Sequence, residues 1–250
     1  MSVSAPVESS FVAQTSRRRR AHSPAAIPRL SEADLHAGLA EVCARDPDLA
    51  AAHVLAGPPP ALRTSEDGLA GLLRIVVGQQ VSAAAARSIW QRIRDAVDPL
   101  DADTLLDVLD RAPEALGLSR QKRAYARGLA EAIAAGTLAP DRFPRQDDET
   151  IVAAITALKG FGRWSAEVYL LFALGRRDAW PAEDLALAVA VQRIKRLDAR
   201  PKRPEMERIA APWRPWRGNV AMFLWHYYHA TGGQKQFADG PSAQAPAARE

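Results

Sequence analysis

Between Ser31 and about His229 apolar residues return every three or four positions, and no stretch alternates apolar with polar side chains at the β-branched enrichment a sheet needs. That single periodicity predicts an all-α fold. Ser31 caps a first helix through Leu35, Leu39 and Val42, which runs to the break at Gly57-Pro58-Pro59-Pro60. A second helix places Leu69, Leu72, Leu73, Val76 and Val77 on one face before Gly78-Gln79-Gln80 interrupts it. Ser82 restarts the pattern with Ile89, Trp90, Ile93 and Val97, Asp103 opens a short helix, and Ser119 caps one carrying Tyr125, Leu129 and Ile133 as far as Gly136. After a Pro-containing loop, Asp147 or Asp148 caps a helix with Ile151, Ile155 and Leu158 facing inward. The connections are short, so the helices pack closely.

The chain has 250 residues, 48% of them hydrophobic, enough for one sizeable core or two joined lobes. A net charge of +4 and a pI near 9.5 favour polyanionic partners without requiring one. The single cysteine, Cys43, rules out an internal disulfide and any zinc site or cluster built from several thiolates of this chain, and it suits a reducing, cytoplasmic setting. No apolar run approaches the roughly 18 residues that would span a membrane. Residues 1–28, with Arg17 to Arg20 in a row, read as a disordered basic arm, either a phosphate-seeking tail or a solvated leader; residues 231–250 read as a flexible tail.

Two stretches carry chemistry. In Leu158-Lys159-Gly160-Phe161-Gly162-Arg163-Trp164-Ser165-Ala166, two glycines flank one apolar residue and a helix starts at once. The glycines permit backbone geometry closed to other residues, Phe161 can plug the space between two helices, and the free N–H groups of the second helix point outward, where a phosphate fits. The same pattern also describes a plain αα-hairpin with a tight turn. Farther on, Trp180-Pro181-Ala182-Glu183-Asp184-Leu185 sets two acids at a helix start. Such acids cap free N–H groups and complement the helix dipole, and either could also be placed for catalysis.

Together these stretches resemble the helix-hairpin-helix DNA glycosylase superfamily, and within it the DNA-3-methyladenine glycosylase II family. Residues 158–166 resemble the hairpin, and 180–185 the catalytic-aspartate motif that follows it. Val77-Gly78-Gln79-Gln80-Val81-Ser82, Gly117-Leu118-Ser119 with Lys122 and Tyr125, and Trp213-Arg214-Pro215-Trp216-Arg217 resemble further blocks of that family in the same order. The likeness runs over about residues 31–229. It departs in two respects: the chain has no room for the N-terminal sheet domain of the longer members, so it resembles the short form, and Gln80 stands where a leucine wedges into the duplex in the longer enzyme.

The resemblance implies a base-excision repair enzyme that hydrolyses the N-glycosidic bond of alkylated, cationic purines such as 3-methyladenine in double-stranded DNA, without cutting the strand. Its folded part is residues 29–230, with a helical lobe over about 64–165 and a second from 29–63 plus 166–230 flanking a cleft. Asp184 would stabilise positive charge developing on the sugar, and Glu183 would be a solvated first-turn acid. One carboxylate suffices when the leaving base is already cationic. Trp164, Trp225, Trp180 and Gln79 would line the base pocket, where an indole face attracts a cationic base by roughly 0.5 to 2 kcal/mol. Trp90 and Trp213 would pack, while Tyr169 and Tyr227 could serve either purpose.

Gln80 would fill the gap left by the flipped base. Gly160, Gly162, Arg163 and Ser165 would hold backbone phosphate, and the carbonyls of Thr156, Leu158 and Phe161 a structural sodium or potassium ion, with no other cofactor. Strand-cleaving members carry a lysine two positions after the hairpin's second glycine; that position is Trp164 here, so no Schiff base is expected. Nine Lys or Arg against three acids between Arg193 and Arg217 read as a basic flank beside the site. A monomer is expected. The competing readings are a glycosylase of the same fold for a deaminated or oxidised base, and a helix-hairpin-helix protein that only binds DNA.

Overall fold

The computed structural model describes residues 25–62 and 64–232, and among them it contains eleven α-helices and no strand. They are α1 (Glu32–Arg45), α2 (Pro47–Ala56), α3 (Gly68–Gly78), α4 (Ala83–Ala96), α5 (Ala102–Arg111), α6 (Arg120–Ala134), α7 (Asp148–Thr156), α8 (Arg163–Phe172), α9 (Leu185–Ile194), α10 (Arg203–Ala210) and α11 (Arg217–Ala230). Arg17 to Arg20 lie outside the described residues, as does nearly all of the C-terminal tail. The end of the expected N-terminal arm is fastened down: the Ile27 N–H donates to the Pro144 carbonyl at 2.9 Å. No described helix is long and apolar enough to cross a membrane.

Most helices start where the sequence offers a cap. The side chains of Ser31, Ser82, Ser119, Asp147 and Asp184 each accept a hydrogen bond from the backbone N–H three residues on, an arrangement that stabilises a helix by about 1 kcal/mol per cap. Two boundaries differ from the periodic pattern. The first helix is two helices, because Asp46 turns the chain in extended geometry and caps α2 with Pro47 at its first position. The short helix expected from Asp103 begins earlier, with Asp101 accepting the Thr104 N–H at 2.8 Å.

The helices sort into two packed sets around one continuous core. In one, α1, α2, α9 and α11 lie against each other; in the other, α3 packs on α4 and α6, α5 on α6, and α7 on α8. Helix α8 also packs on α3. Leu72, Leu73, Val76, Ile93, Leu105, Leu129, Ile151, Ile155, Leu187 and Phe223 are fully buried, which accounts for the stripes that define the elements. The helix starts of α8 and α9 and one face of α11 meet at the junction of the two sets.

Candidate active site

Asp184 sits at that junction, and three N–H groups from three helices converge on it. Its Oδ1 accepts from the Leu187 backbone of α9 at 3.0 Å and from Trp225 Nε1 of α11 at 3.0 Å; its Oδ2 accepts from Trp164 Nε1 of α8 at 3.0 Å. Both carboxylate oxygens are held, so the plane of the group is fixed. All three partners are neutral donors, and no ion pair among the described residues involves Asp184. A turn delivers it: the Ala182 N–H donates to the Trp180 carbonyl at 2.8 Å and the Asp184 N–H to the Pro181 carbonyl at 2.9 Å. Asp184 is half-buried, and Glu183 is paired with Arg203 at 3.2 Å, away from the three donors. The expectation of Glu183 as a solvated first-turn acid is corrected: it precedes the cap of α9, outside the first turn, and is engaged by Arg203.

The four residues expected around a base divide the same way. Trp164 and Trp225 are partly exposed beside Asp184, and the Trp225 ring stacks on Phe172 at 5.3 Å. Phe172, from the far end of α8, is a neighbour of Trp225 that sequence reading missed, since a lone apolar residue on a helix carries no signal of its own. Trp180 corrects the expectation. It is only 2% exposed and meets Trp213 edge-on at 5.5 Å, so it anchors the turn before Asp184 in the core and cannot face a base. Gln79 is half-buried, and its side-chain amide donates to the Gly160 carbonyl at 3.0 Å, bracing the end of α3 against the hairpin. Trp213 is buried and Trp90 packs beneath the Arg74 guanidinium, as expected; Tyr169 and Tyr227 are both core residues. Burial pushes the Tyr169 hydroxyl up to about 12, and it accepts the Gly68 N–H at 2.9 Å.

The hairpin is α7, the loop at 157–162 and α8. Phe161 is buried between the helices. Gly160 has φ +92°, and a Cβ there would come within 2.4 Å of the Tyr125 ring, so glycine is required on both counts. Gly162 is different: its backbone is extended and a Cβ would meet nothing within 4 Å. What its lack of a side chain leaves is open space in front of the first N–H groups of α8, where an anion can approach.

Arg163 is engaged within the hairpin, donating to Glu149 at 2.6 Å and to Glu167 at 2.8 Å, and the Ser165 side chain is buried. Any phosphate contact at these two positions therefore falls first to their backbone N–H groups. Burial pushes the Glu167 carboxyl up to about 7, partly offset by Arg163. Among the described residues no donor reaches the Thr156 and Phe161 carbonyls, while that of Leu158 accepts the Phe161 N–H at 3.2 Å. Oxygens left open in this way fit the hard ligand set of an alkali-metal ion.

The basic flank is largely neutralised. Lys195 and Arg196 pair with Asp46 and Asp48, Arg203 with Glu183, Arg208 with Glu205, and Arg214 and Arg217 with Asp178. Their acids lie up to about 150 positions away, which is why a local charge count overstated the patch. The block from Trp213 to Arg217 serves the architecture. Within it, Trp213 Nε1 donates to Asp46 at 2.7 Å, Trp216 Nε1 to Glu41 at 2.8 Å, and Arg217 to Asp178 at 2.9 Å. These bonds fasten the start of α11, and so set the height of Trp225.

A helical hairpin with an open helix N-terminus, followed by an aspartate clamped at the start of the next long helix, is the scaffold expected of a helix-hairpin-helix protein. Residues 73–215, more than half the chain, match the model of the HhH-GPD superfamily of base excision DNA repair proteins, and the chain belongs to that superfamily. The DNA-3-methyladenine glycosylase 1 of Schizosaccharomyces pombe is 29% identical over 158 residues, 62% of this chain and 69% of that one. The 3-methyladenine DNA glycosylase of the same yeast, solved with abasic DNA, superposes with a TM-score of 0.64 at 23% identity over 83% of this chain and 99% of that one. A DNA-3-methyladenine glycosidase from Bacillus halodurans gives 0.66 at 24% identity over 80% and 91%. At these identities the two structures speak for the fold.

Proposed function

We propose that the protein is a DNA N-glycosylase that hydrolyses the bond between deoxyribose and an alkylated purine, 3-methyladenine among them, in double-stranded DNA, and leaves the strand uncut. The observation that carries this reading is the clamp on Asp184: two indole N–H groups and a backbone N–H fix the carboxylate, with no ion pair to it among the described residues. As the base departs, positive charge grows on the sugar, and an anion held in place beforehand stabilises it without reorganising at the moment of reaction. A cationic alkylated purine needs no proton before it leaves, so one carboxylate is sufficient. The same group can orient the attacking water. Trp164 and Trp225 then act in two ways, aiming Asp184 through their N–H groups and offering electron-rich faces that favour an electron-poor base.

Hydrolysis without strand cleavage is supported by Trp164 at the place where a lysine would be needed, its N–H engaged with Asp184, and by the exposure of Lys159 in the loop. Grip on the duplex would come from the open N-terminus of α8, with Gln80 as the wedge. An alkali-metal ion on the Thr156, Leu158 and Phe161 carbonyls would stiffen the loop at that grip. The enzyme would act as a monomer. The test is incubation with methylated duplex DNA and assay of free 3-methyladenine and 7-methylguanine. Release is expected, together with failure of borohydride to trap a protein–DNA adduct. Trapping would overturn the hydrolytic route, and the absence of release from any damaged duplex would favour a protein that only binds.

A further inference from the structure

We propose that Lys122 is a positioning residue for opening the duplex: it bends the end of α3 so that Gln80 is held out in the left-handed conformation a wedge requires. The proposal rests on the reading of Gln80 as the wedge. A helix leaves its last carbonyls without intrahelical donors, and a glycine just past the end is the usual way to turn the chain there. Helix α3 instead ends at Gly78, Gln79 turns out in extended geometry, and the left-handed position falls on Gln80 at φ +53°, which glycine adopts freely and glutamine does not. Lys122 supplies the compensating contact. Its ammonium donates to the Val77 carbonyl at 2.8 Å and the Gln79 carbonyl at 2.7 Å, drawing two carbonyls that flank Gly78 onto one point. The negative end of the α3 dipole meets the positive charge at the same place.

The ammonium is dedicated to this turn. No carboxylate pairs with Lys122 among the described residues, and burial pushes its pKa down. One turn along α6, Tyr125 lies against Gly160, and Gln79 donates to that same glycine's carbonyl. Helix α6 thus grips the wedge turn with Lys122 and the phosphate-facing hairpin with Tyr125, fixing the distance between them. Gln80 itself is exposed, and its amide makes no hydrogen bond among the described residues, so the side chain is free to enter a gap in the base stack.

The test compares excision of one methylated purine from a fully paired duplex and from a duplex where it is mispaired, since unstacking costs least for a base already poorly paired. Gln80→Gly keeps the turn and removes the wedge; Lys122→Met keeps the apolar stem and removes the ammonium. Each is expected to lower kcat/KM on the paired substrate by about tenfold relative to the mispaired one, and the double variant to be no worse than the weaker single, as for residues that act as one unit. Equal losses on both substrates for Lys122→Met, or losses that multiply in the double variant, would overturn the proposal while leaving the wedge intact. An unaffected Gln80→Gly would overturn the wedge, and the role of Lys122 with it. Should Lys122→Met fail to fold, Lys122→Gln, which retains one donor group, gives the same comparison.

Discussion

Two aspartates in this protein do the same local job and differ in one respect that separates structure from chemistry. Asp46 caps α2 and Asp184 caps α9, each accepting the backbone N–H three residues on and an indole N–H from a distant helix or turn. Asp46 is buried, and Lys195 reaches both of its oxygens, at 2.7 and 2.8 Å. Asp184 is half-buried, and its second indole takes the place that the ammonium holds at Asp46. A charge already neutralised contributes to stability; a charge held by neutral dipoles is available to a cation that arrives later. The comparison explains why a capping aspartate can be catalytic without ceasing to cap.

The largest effect expected from the structural member of the pair is on folding. Asp46→Ala leaves Lys195 with Asp48 as its one carboxylate partner among the described residues and strands the Trp213 N–H, and should lower unfolding stability by about 2 to 3 kcal/mol in denaturant titrations, while base release per folded molecule changes far less. Its pH dependence follows. Burial works against the Asp46 charge, but bonds from Lys195, Trp213 and Leu49 outweigh it and hold the carboxyl below its ordinary value. Its contribution is therefore complete above the usual carboxyl range and disappears as pH falls through the depressed value; wild type and Asp46→Asn should converge in stability toward strong acid and separate above about pH 4. Equal separation at every pH would break the comparison.

Next in size are the indole donors at Asp184. Trp164→Phe and Trp225→Phe keep an aromatic face and remove one N–H each; with hydrogen bonds to a charged group worth about 1.5 to 3 kcal/mol, kcat should fall by about tenfold or more with KM little changed. A rise in KM alone would assign these rings to base binding only. The smallest effect belongs to the neighbouring acid: Glu183→Gln removes a surface pair with Arg203 and should leave kcat/KM within about twofold.

The contrast also marks how far the sequence could be read. Helix content, the hairpin and Phe161 as its plug were legible, because periodicity, caps and turn glycines act through near neighbours; local signals left Glu183 and Asp184 interchangeable, and the structure makes Asp184 the cap. Trp180 was not, since its burial depends on packing against Trp213, far along the chain, which no local pattern reveals. The pairing of Lys195 with Asp46 was hidden for the same reason, and so was the neutralised flank. The break at Asp46-Pro47 was available and missed: an N-cap acid before proline marks a helix start even where the apolar stripe runs on.

The central claim is that Asp184 promotes base release while its role as a cap is separable. Asn caps a helix as well as Asp does, so Asp184→Asn removes the charge, and with it the acceptor facing one indole N–H, while keeping the cap. Single-turnover release of 3-methyladenine from methylated duplex DNA, measured beside the thermal unfolding midpoint, is the most direct test. The account predicts a fall of about 10²-fold or more in the rate at a nearly unchanged midpoint. Undiminished release by Asp184→Asn, with the fold intact, would contradict it.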